Sequence, residues 1–479
     1  MFIGRDREMG LLEELFHRKS SSLVICRGRR RIGKSRLIQE FGKKAGVFLE
    51  FQGLPPREGM KPADQLNVFS KQLAKQTKVP QLRLDNWPQA FSMLATVIKN
   101  QKTVILLDEI SWMASQDKDF AGHLKIAWDT EFKKFPKLVV VACGSVSSWI
   151  DQNILNNTGF VGRVSLELTL SPLSLFYCNQ FWGDKSHHIS SMEKLKILSV
   201  IGGIPRYLEE INTQLSAEEN IKRLCFTKEG ILFSEFDRIF NDIFSKRAPT
   251  YKEVVKTLIF GSRSTGEVSA SLKKERTGHV SQCLEDLLAS GFLEKDSVYE
   301  PGTARATRRF HYRLKDNYIR FYLRYIEPIR EKIRQGLTET TVLEALVDWD
   351  VIMGYQFENL VLGNIPALCK RLSLNSASVR SAAPYFQKRT QRKKACQIDL
   401  LIQTKHTLYV CEIKWRKKVE PQVIGEVQEK IGKLKTPKNL SVRPVLIYEG
   451  ELSRALRDND YFTAQIAFGD LLTEKNEVG

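Results

Sequence analysis

Short, nearly continuous apolar runs mark the first part of the chain: Ser22–Cys26 (SLVIC), Thr103–Leu107 (TVILL) and Leu138–Cys143 (LVVVAC). They are rich in β-branched residues and apolar on both faces. Strands buried on both faces belong to parallel sheets covered by helices. Residues 1 to about 185 therefore predict alternating strands and helices, with a helix from Lys34 to about Lys44. From Glu193 to about Phe244 the pattern turns helical, broken at Gly202-Gly203-Ile204-Pro205.

Further on, Tyr251–Phe260, Thr265–Lys273 and Gly278–Ser290 predict three short helices. Val280, Cys283, Leu284, Leu287 and Leu288 share one face of the third. Phe292–Val298 and Arg309–Leu314 predict a β-hairpin around Pro301-Gly302. Three helices and a hairpin are the order of a winged helix-turn-helix. Asp316–Ile326 (DNYIRFYLRYI) reads as an aromatic-rich helix whose stripe packs against a neighbouring domain. From about Val342 the order is helix, strands, helix, strand. The expected division is 1–190 for the α/β core, 191–245 for a helical lid and 246–316 for the winged helix. Residues 317–345 form the aromatic helix and linker, and 346–479 a second α/β domain.

The first apolar strand runs into Gly28-Arg29-Arg30-Arg31-Ile32-Gly33-Lys34-Ser35, a full match to G-x-x-x-x-G-K-[ST]. A chance match in a chain of this length is expected roughly 2% of the time. Backbone N–H groups between Gly28 and Gly33 are suited to wrap a β-phosphate, and glycine permits the backbone angles this needs. Lys34 is expected on the β- and γ-phosphates of ATP and the Ser35 hydroxyl on Mg²⁺. The second strand ends in Asp108-Glu109. Asp108 is expected to hold Mg²⁺, and Glu109 to orient and polarise the attacking water. Arg27, Arg29, Arg30 and Arg31 are either solvated or help a polyanionic nucleotide.

These segments occur in one order: Phe2–Glu8, the GRRRIGKS loop, the LDEISWM strand end, Cys143-Gly144-Ser145, Gly162-Arg163 and Gly202–Tyr207. In this the chain resembles the archaeal-type P-loop ATPases near the AAA+/STAND border. Many of these continue into a winged helix and a restriction-endonuclease-like domain. The resemblance implies an α/β P-loop NTPase core, a parallel sheet with helices on both faces, followed by a helical lid, a winged helix-turn-helix and a C-terminal α/β nuclease-like domain. It also implies that Gly4–Glu8 lies near the adenine and Ser145 in a sensor-like position. Arg163 and Arg206 become candidates for sensing the γ-phosphate.

Near the other end, Asp399 lies on the predicted strand Gln397–Ile402. Glu412 and Lys414 lie on Leu408–Ile413 and just beyond it. Residues two apart on a strand project from one face. Two carboxylates holding Mg²⁺, with a lysine to position water, suit phosphodiester hydrolysis. Glu358, on an upstream helix, is a further acidic ligand. The spacing alone is expected by chance about once in such a chain. In its order of helix, strand and strand, however, it resembles the PD-(D/E)xK superfamily core, with Ile398 in place of proline. The metal candidates are thus Ser35, Asp108, Glu358, Asp399 and Glu412, and the catalytic candidates Glu109, Asp399, Glu412 and Lys414.

The formal net charge of +19 over 479 residues adds a partner to this picture. Such an excess favours a polyanion, and DNA is the expected one, with Lys388–Lys394 a basic stretch just before Asp399. No apolar run approaches ~18 residues, so no membrane span is expected. The eight cysteines include no C-x-x-C pair, and Cys26, Cys143 and Cys411 lie in apolar runs that predict buried free thiols; no zinc site and a cytoplasmic setting are expected. No small-molecule substrate other than nucleotide is indicated, and a homo-oligomer stays open. Two alternatives remain: a STAND-type nucleotide switch, and a DNA-binding regulator with an inactive nuclease-like domain.

Overall fold

The computed structural model describes residues 2–145, 148–273, 278–338, 342–389, 391, 394–434 and 436–475. The chain forms two compact units, Met1–Ser171 and Pro172–Gly479.

In the first unit the strands are β1 (Ser22–Gly28), β2 (Val47–Gln52), β3 (Thr103–Asp108), β4 (Leu138–Ser145) and β5 (Val164–Leu170). They form one parallel sheet in the order β2-β3-β4-β1-β5. The three apolar runs are its inner strands, and every residue of β3 and β4 is buried. The two edge strands carry Glu50, Gln52, Glu167 and Thr169 among their apolar residues, and each is buried on part of its length only. On one face of the sheet Phe51 stacks on Phe69, while Trp87 meets Phe69 and Phe120 edge to face. Burial of such rings is the largest apolar contribution available to a core.

The second unit opens with helices, including Ser191–Ile201, Ala217–Cys225 and Ile231–Phe244. Helices Ala248–Lys256, Thr265–Ser271 and Gly278–Ala289 follow. Then comes the antiparallel hairpin of β6 (Leu293–Tyr299) and β7 (Ala306–Leu314). The aromatic stripe is packing. Tyr322 stacks on Phe236 with centroids 4.5 Å apart, and Tyr318 meets Tyr207 edge to face.

The last five strands are β8 (Ser381–Gln387), β9 (Cys396–Gln403), β10 (Thr407–Val419), β11 (Ser441–Leu452) and β12 (Ala464–Ala467). Their order is β12-β11-β10-β9-β8, parallel among β10, β11 and β12 and antiparallel among β8, β9 and β10. All eight cysteines are buried thiols. Among the described residues no helix is long and apolar enough to cross a membrane.

One polar network ties the hairpin to the helix Trp349–Leu362. Arg313 on β7 pairs with Asp296 on β6 at 2.7 Å and donates to the Asn359 side chain at 2.5 Å. Asn359 in turn donates to the Leu314 carbonyl and to Asn317, and Gln356 donates to the Asn317 carbonyl. Removing one partner of a buried pair strands the other charge, at a cost of about 3–5 kcal/mol. Asp296→Ala is therefore expected to lower the urea midpoint by that amount of stability. An unchanged midpoint would show that Arg313 finds water instead.

Candidate functional site

The glycine-rich loop follows β1, and its geometry explains the sequence. A Cβ on Gly28 would stand 2.8 Å from the Leu170 carbonyl oxygen on β5, so only glycine lets the two strands approach. Gly33 has φ +90°, a left-handed conformation that glycine adopts without strain. Arg31 holds φ +70° without that freedom. The helix Lys34–Gly42 starts at the end of the loop and directs its positive end there. Lys34 is 6% exposed, and its Nζ donates to the carbonyls of Gly28 (3.0 Å) and Arg29 (3.3 Å). The ammonium thus lies inside the loop.

Ser35 Oγ donates to Asp108 Oδ2 at 2.7 Å, which joins the loop to the end of β3. Asp108 is 4% exposed, and its other oxygen accepts the Glu109 backbone N–H at 3.1 Å. Glu109 sits at φ +51°, ψ +50°. A non-glycine residue held left-handed costs of order 1 kcal/mol, and such residues concentrate at functional positions. On β4, Ser145 is the register partner of Gly28. Its Oγ is buried with no hydrogen-bond partner among the described residues.

Around this centre the predicted arginines divide. Arg29 is buried, and Arg30 and Arg31 are half-buried, so none of the three is a fully solvated loop residue. Arg27 pairs with Asp151 and with Glu167 (2.6 Å). Arg163 makes a two-pronged pair with Asp129, both distances being 2.9 Å. Arg206 belongs to the second unit and pairs with Glu210 (2.6 Å) and Glu209 (3.3 Å). Sequence reasoning did not single out Arg5. It is buried at φ +69° and donates to the carbonyls of Ile32 (3.1 Å) and Ser171 (2.7 Å), bracing the loop from behind.

A magnesium ion fits this arrangement. A hydroxyl and a buried carboxylate converge at 2.7 Å beside a loop whose lysine is already desolvated. They are oxygen donors of the kind this ion takes.

In the C-terminal sheet, Leu400 on β9 is the register partner of Cys411 on β10. One step along stand Asp399 and Glu412. Glu412 is fully buried; Lys414 Nζ lies 2.8 Å from Oε1 and Lys430 Nζ 2.5 Å from Oε2. Lys430 is also 3.5 Å from Asp399 Oδ1, while Asp399 Oδ2 accepts the Ile413 backbone N–H at 2.9 Å. Lys414 pairs further with Glu426 at 2.7 Å. Burial, with the Glu412 charge added, pushes Asp399 up to about 6 against the opposing pull of Lys430. Burial and the Asp399 charge push Glu358 up to about 8. Burial alone would lower Lys414 and Lys430, yet both are raised by the carboxylates beside them.

Asp399, Glu412 and Lys414 therefore stand together, with Glu358 close enough for its charge to count. The three carboxylates do not fit a divalent ion as they stand. Both oxygens of Glu412 face ammonium groups, and among the described residues no group of three or more acidic, His or Cys side chains is arranged to hold a metal. Lys430 and Glu426, on the helix Gln422–Lys433, were missed from sequence. The available signal was spacing: Val423, Val427, Lys430 and Leu434 recur on one inward helix face, with a lysine where an apolar residue is expected.

Residues 322–425 match a family, DUF234, described as archaea bacterial proteins of unknown function. A protein of Methanocaldococcus jannaschii, called uncharacterized protein MJECL04, is 22% identical over 364 residues, which is 75% of this chain and 76% of its own. Among solved structures, the Walker-type ATPase PABY2304 of Pyrococcus abyssi is similar with a TM-score of 0.49 and 15% identity, over 67% of this chain and 96% of its own. The ORC2 protein of Aeropyrum pernix, solved as ADPNP–ADP complexes, has a TM-score of 0.40 and 15% identity, over 70% and 96%.

Between the ordinary value of 4.5 and about 8, the folded chain holds more protons on Glu358 than the unfolded chain does. Stability contributed by this group therefore falls as pH rises through that window, by at most about 1.4 kcal/mol per pH unit. Glu358→Gln removes the titration, so its stability relative to wild type is expected to grow from about pH 5 to about pH 8. Thermal unfolding with a constant difference across that range would contradict the assignment.

Proposed function

We propose that the chain binds and hydrolyses ATP at the Gly28–Ser35 loop and acts on DNA through a basic face of its second unit. The observation that carries the nucleotide reading is the closure of Ser35 on Asp108 at 2.7 Å, with Glu109 held left-handed beside it. Loop N–H groups would bind the phosphates, and Lys34 would turn from the Gly28 and Arg29 carbonyls to the β- and γ-phosphate oxygens. Ser35 and Asp108 would hold Mg²⁺, which supplies charge neutralisation at the phosphates when bound. Glu109 would orient water in line with the γ-phosphorus and accept its proton as the bond to the bridging oxygen breaks. ADP and phosphate are the products. Ser145 Oγ, buried and lacking a partner among the described residues, is suited to donate to the γ-phosphate or the attacking water.

The DNA reading rests on charge and placement. Arg305 in the hairpin loop and Arg308 and Arg309 on β7 are exposed, as are Lys388 and Arg389 after β8. The two segments adjoin: His311 on β7 packs on Phe386 of β8 at 4.2 Å. A hairpin after three helices supports the winged helix reading, in which a wing contacts duplex. Of the basic stretch Lys388–Lys394, Thr390, Arg392 and Lys393 lie outside the described residues. The order of β8–β12, with Asp399 beside Glu412-x-Lys414, supports a nuclease-like fold. Lysines face its carboxylates, so the role that suits this domain is binding rather than cleavage.

A second reading, a slowly turning switch, is favoured by the arginines. Arg163 is held by Asp129 and Arg206 by Glu209 and Glu210, so charge stabilisation at the γ-phosphate would require breaking those pairs. Steady-state turnover with and without DNA separates the two. Strong stimulation supports the first, and tight nucleotide retention with negligible turnover supports the switch.

Lys34→Ala is expected to weaken ATP binding by about 1.5–3 kcal/mol, roughly ten- to a hundredfold. Glu109→Gln is expected to keep binding and slow hydrolysis. Wild-type affinity in the first variant, or wild-type turnover in the second, would sink the respective role. Neutralising Arg305, Arg308, Arg309, Lys388 and Arg389 together is expected to flatten the salt dependence of DNA binding, by about 0.9 in slope for each phosphate no longer neutralised. An unchanged slope would remove this face from the interface.

A further inference from the structure

We infer that Lys430 is the resident cation of the C-terminal carboxylate pair, holding the place between Asp399 and Glu412 that a divalent ion would need. The pair presents four oxygens, of which three face an ammonium group and one a backbone N–H. Glu412 Oε2 accepts from Lys430 (2.5 Å), while Oε1, buried and with no hydrogen-bond partner among the described residues, stands at ion-pair distance from Lys414 (2.8 Å). Asp399 gives one to the Ile413 N–H (2.9 Å) and faces Lys430 with the other (3.5 Å). An ion entering here would meet two ammonium groups already paired with the same carboxylate, and its attraction to the pair would be offset by that repulsion.

Lys430 is not a surface side chain that has wandered in. Val423 and Val427, two turns and one turn earlier on the same face, are fully buried. The Lys430 carbonyl accepts the Leu434 N–H at 3.1 Å and the Cys396 thiol at 3.4 Å, which fixes the helix end against β9. The chain also supplies cations to the carboxylates that flank Lys414 and Lys430. Asp399, Glu412 and Glu426 are matched by Lys414, Lys430 and Arg416, the last 3.4 Å from Glu426. A buried carboxylate as deep as Glu412 requires such a partner. The domain therefore keeps a nuclease-like frame whose two central carboxylates are neutralised from within.

The test is Mn²⁺ binding to the nucleotide-free full chain, followed by the electron paramagnetic resonance of the free ion. Wild type and Asp399→Asn are expected to give the same titration, because the pair holds no Mn²⁺ in either. Lys430→Gln is expected to bind about tenfold more tightly or better, and Lys430→Gln with Asp399→Asn to return to the wild-type titration. Lys430→Arg, which keeps the cation, is expected to behave as wild type. A wild-type site abolished by Asp399→Asn would overturn the inference, as would a folded Lys430→Gln that binds no more tightly than wild type. If Lys430→Gln does not fold, the comparison of wild type with Asp399→Asn still decides. The outcome is separate from the nucleotide reading, since no nucleotide is present and Lys34 is untouched.

Discussion

The hydroxyl of Ser35 and the carboxylate of Asp108 meet at 2.7 Å, yet they follow from strands that β4 separates in the sheet. The rest of the first unit is arranged so that this meeting occurs. β1 must end where it does, and its pairing with β4 and β5 fixes that end at Gly28, opposite Ser145 on one side and Leu170 on the other. The loop must then turn back tightly, which Gly33 permits. The strand β3 is buried along its whole length and ends at Asp108. A hydrogen bond from a hydroxyl to a carboxylate is itself worth only about 1.5–3 kcal/mol. Its importance is positional, because it records that the loop and the acidic strand end are already in place.

Legibility in the sequence followed the range of the interaction. The glycine-rich loop needs eight consecutive residues on a strand-to-helix turn, and all eight are where the pattern predicts. The inner strands were legible because burial on both faces leaves an uninterrupted apolar run. The edge strands β2 and β5 were not singled out, because Glu50 and Glu167 break theirs. The order of helices and hairpin from residue 248 to 314 was readable from periodicity, with ends shifted by a few residues. What the sequence could not show were the partners of charged groups. Arg163 with Asp129 and Lys430 with Glu412 are joined only by the fold, 34 and 18 residues apart.

The same distinction separates the two ends of the molecule. At the loop a buried lysine, a hydroxyl and a buried carboxylate stand together, the groups that the proposed nucleotide and its magnesium would use. In the C-terminal sheet the charges complete one another. Asp399, Glu412 and Lys414 stand together on β9 and β10, as their spacing suggests. Lys430 from the following helix also meets both carboxylates, on a face where periodicity favours an apolar side chain. A short motif specifies which groups meet but not what else meets them.

On the proposed function, the Gly28–Ser35 loop, closed on Asp108, takes one magnesium-bound nucleotide. Calorimetric titration of the wild-type chain with ATP, once with Mg²⁺ and once with chelator, tests it most directly. The account predicts a single site per chain whose affinity falls by about tenfold or more when Mg²⁺ is removed, because Ser35 and Asp108 then have no ion to share with the phosphates. Absence of binding under both conditions, or binding indifferent to Mg²⁺, would contradict it.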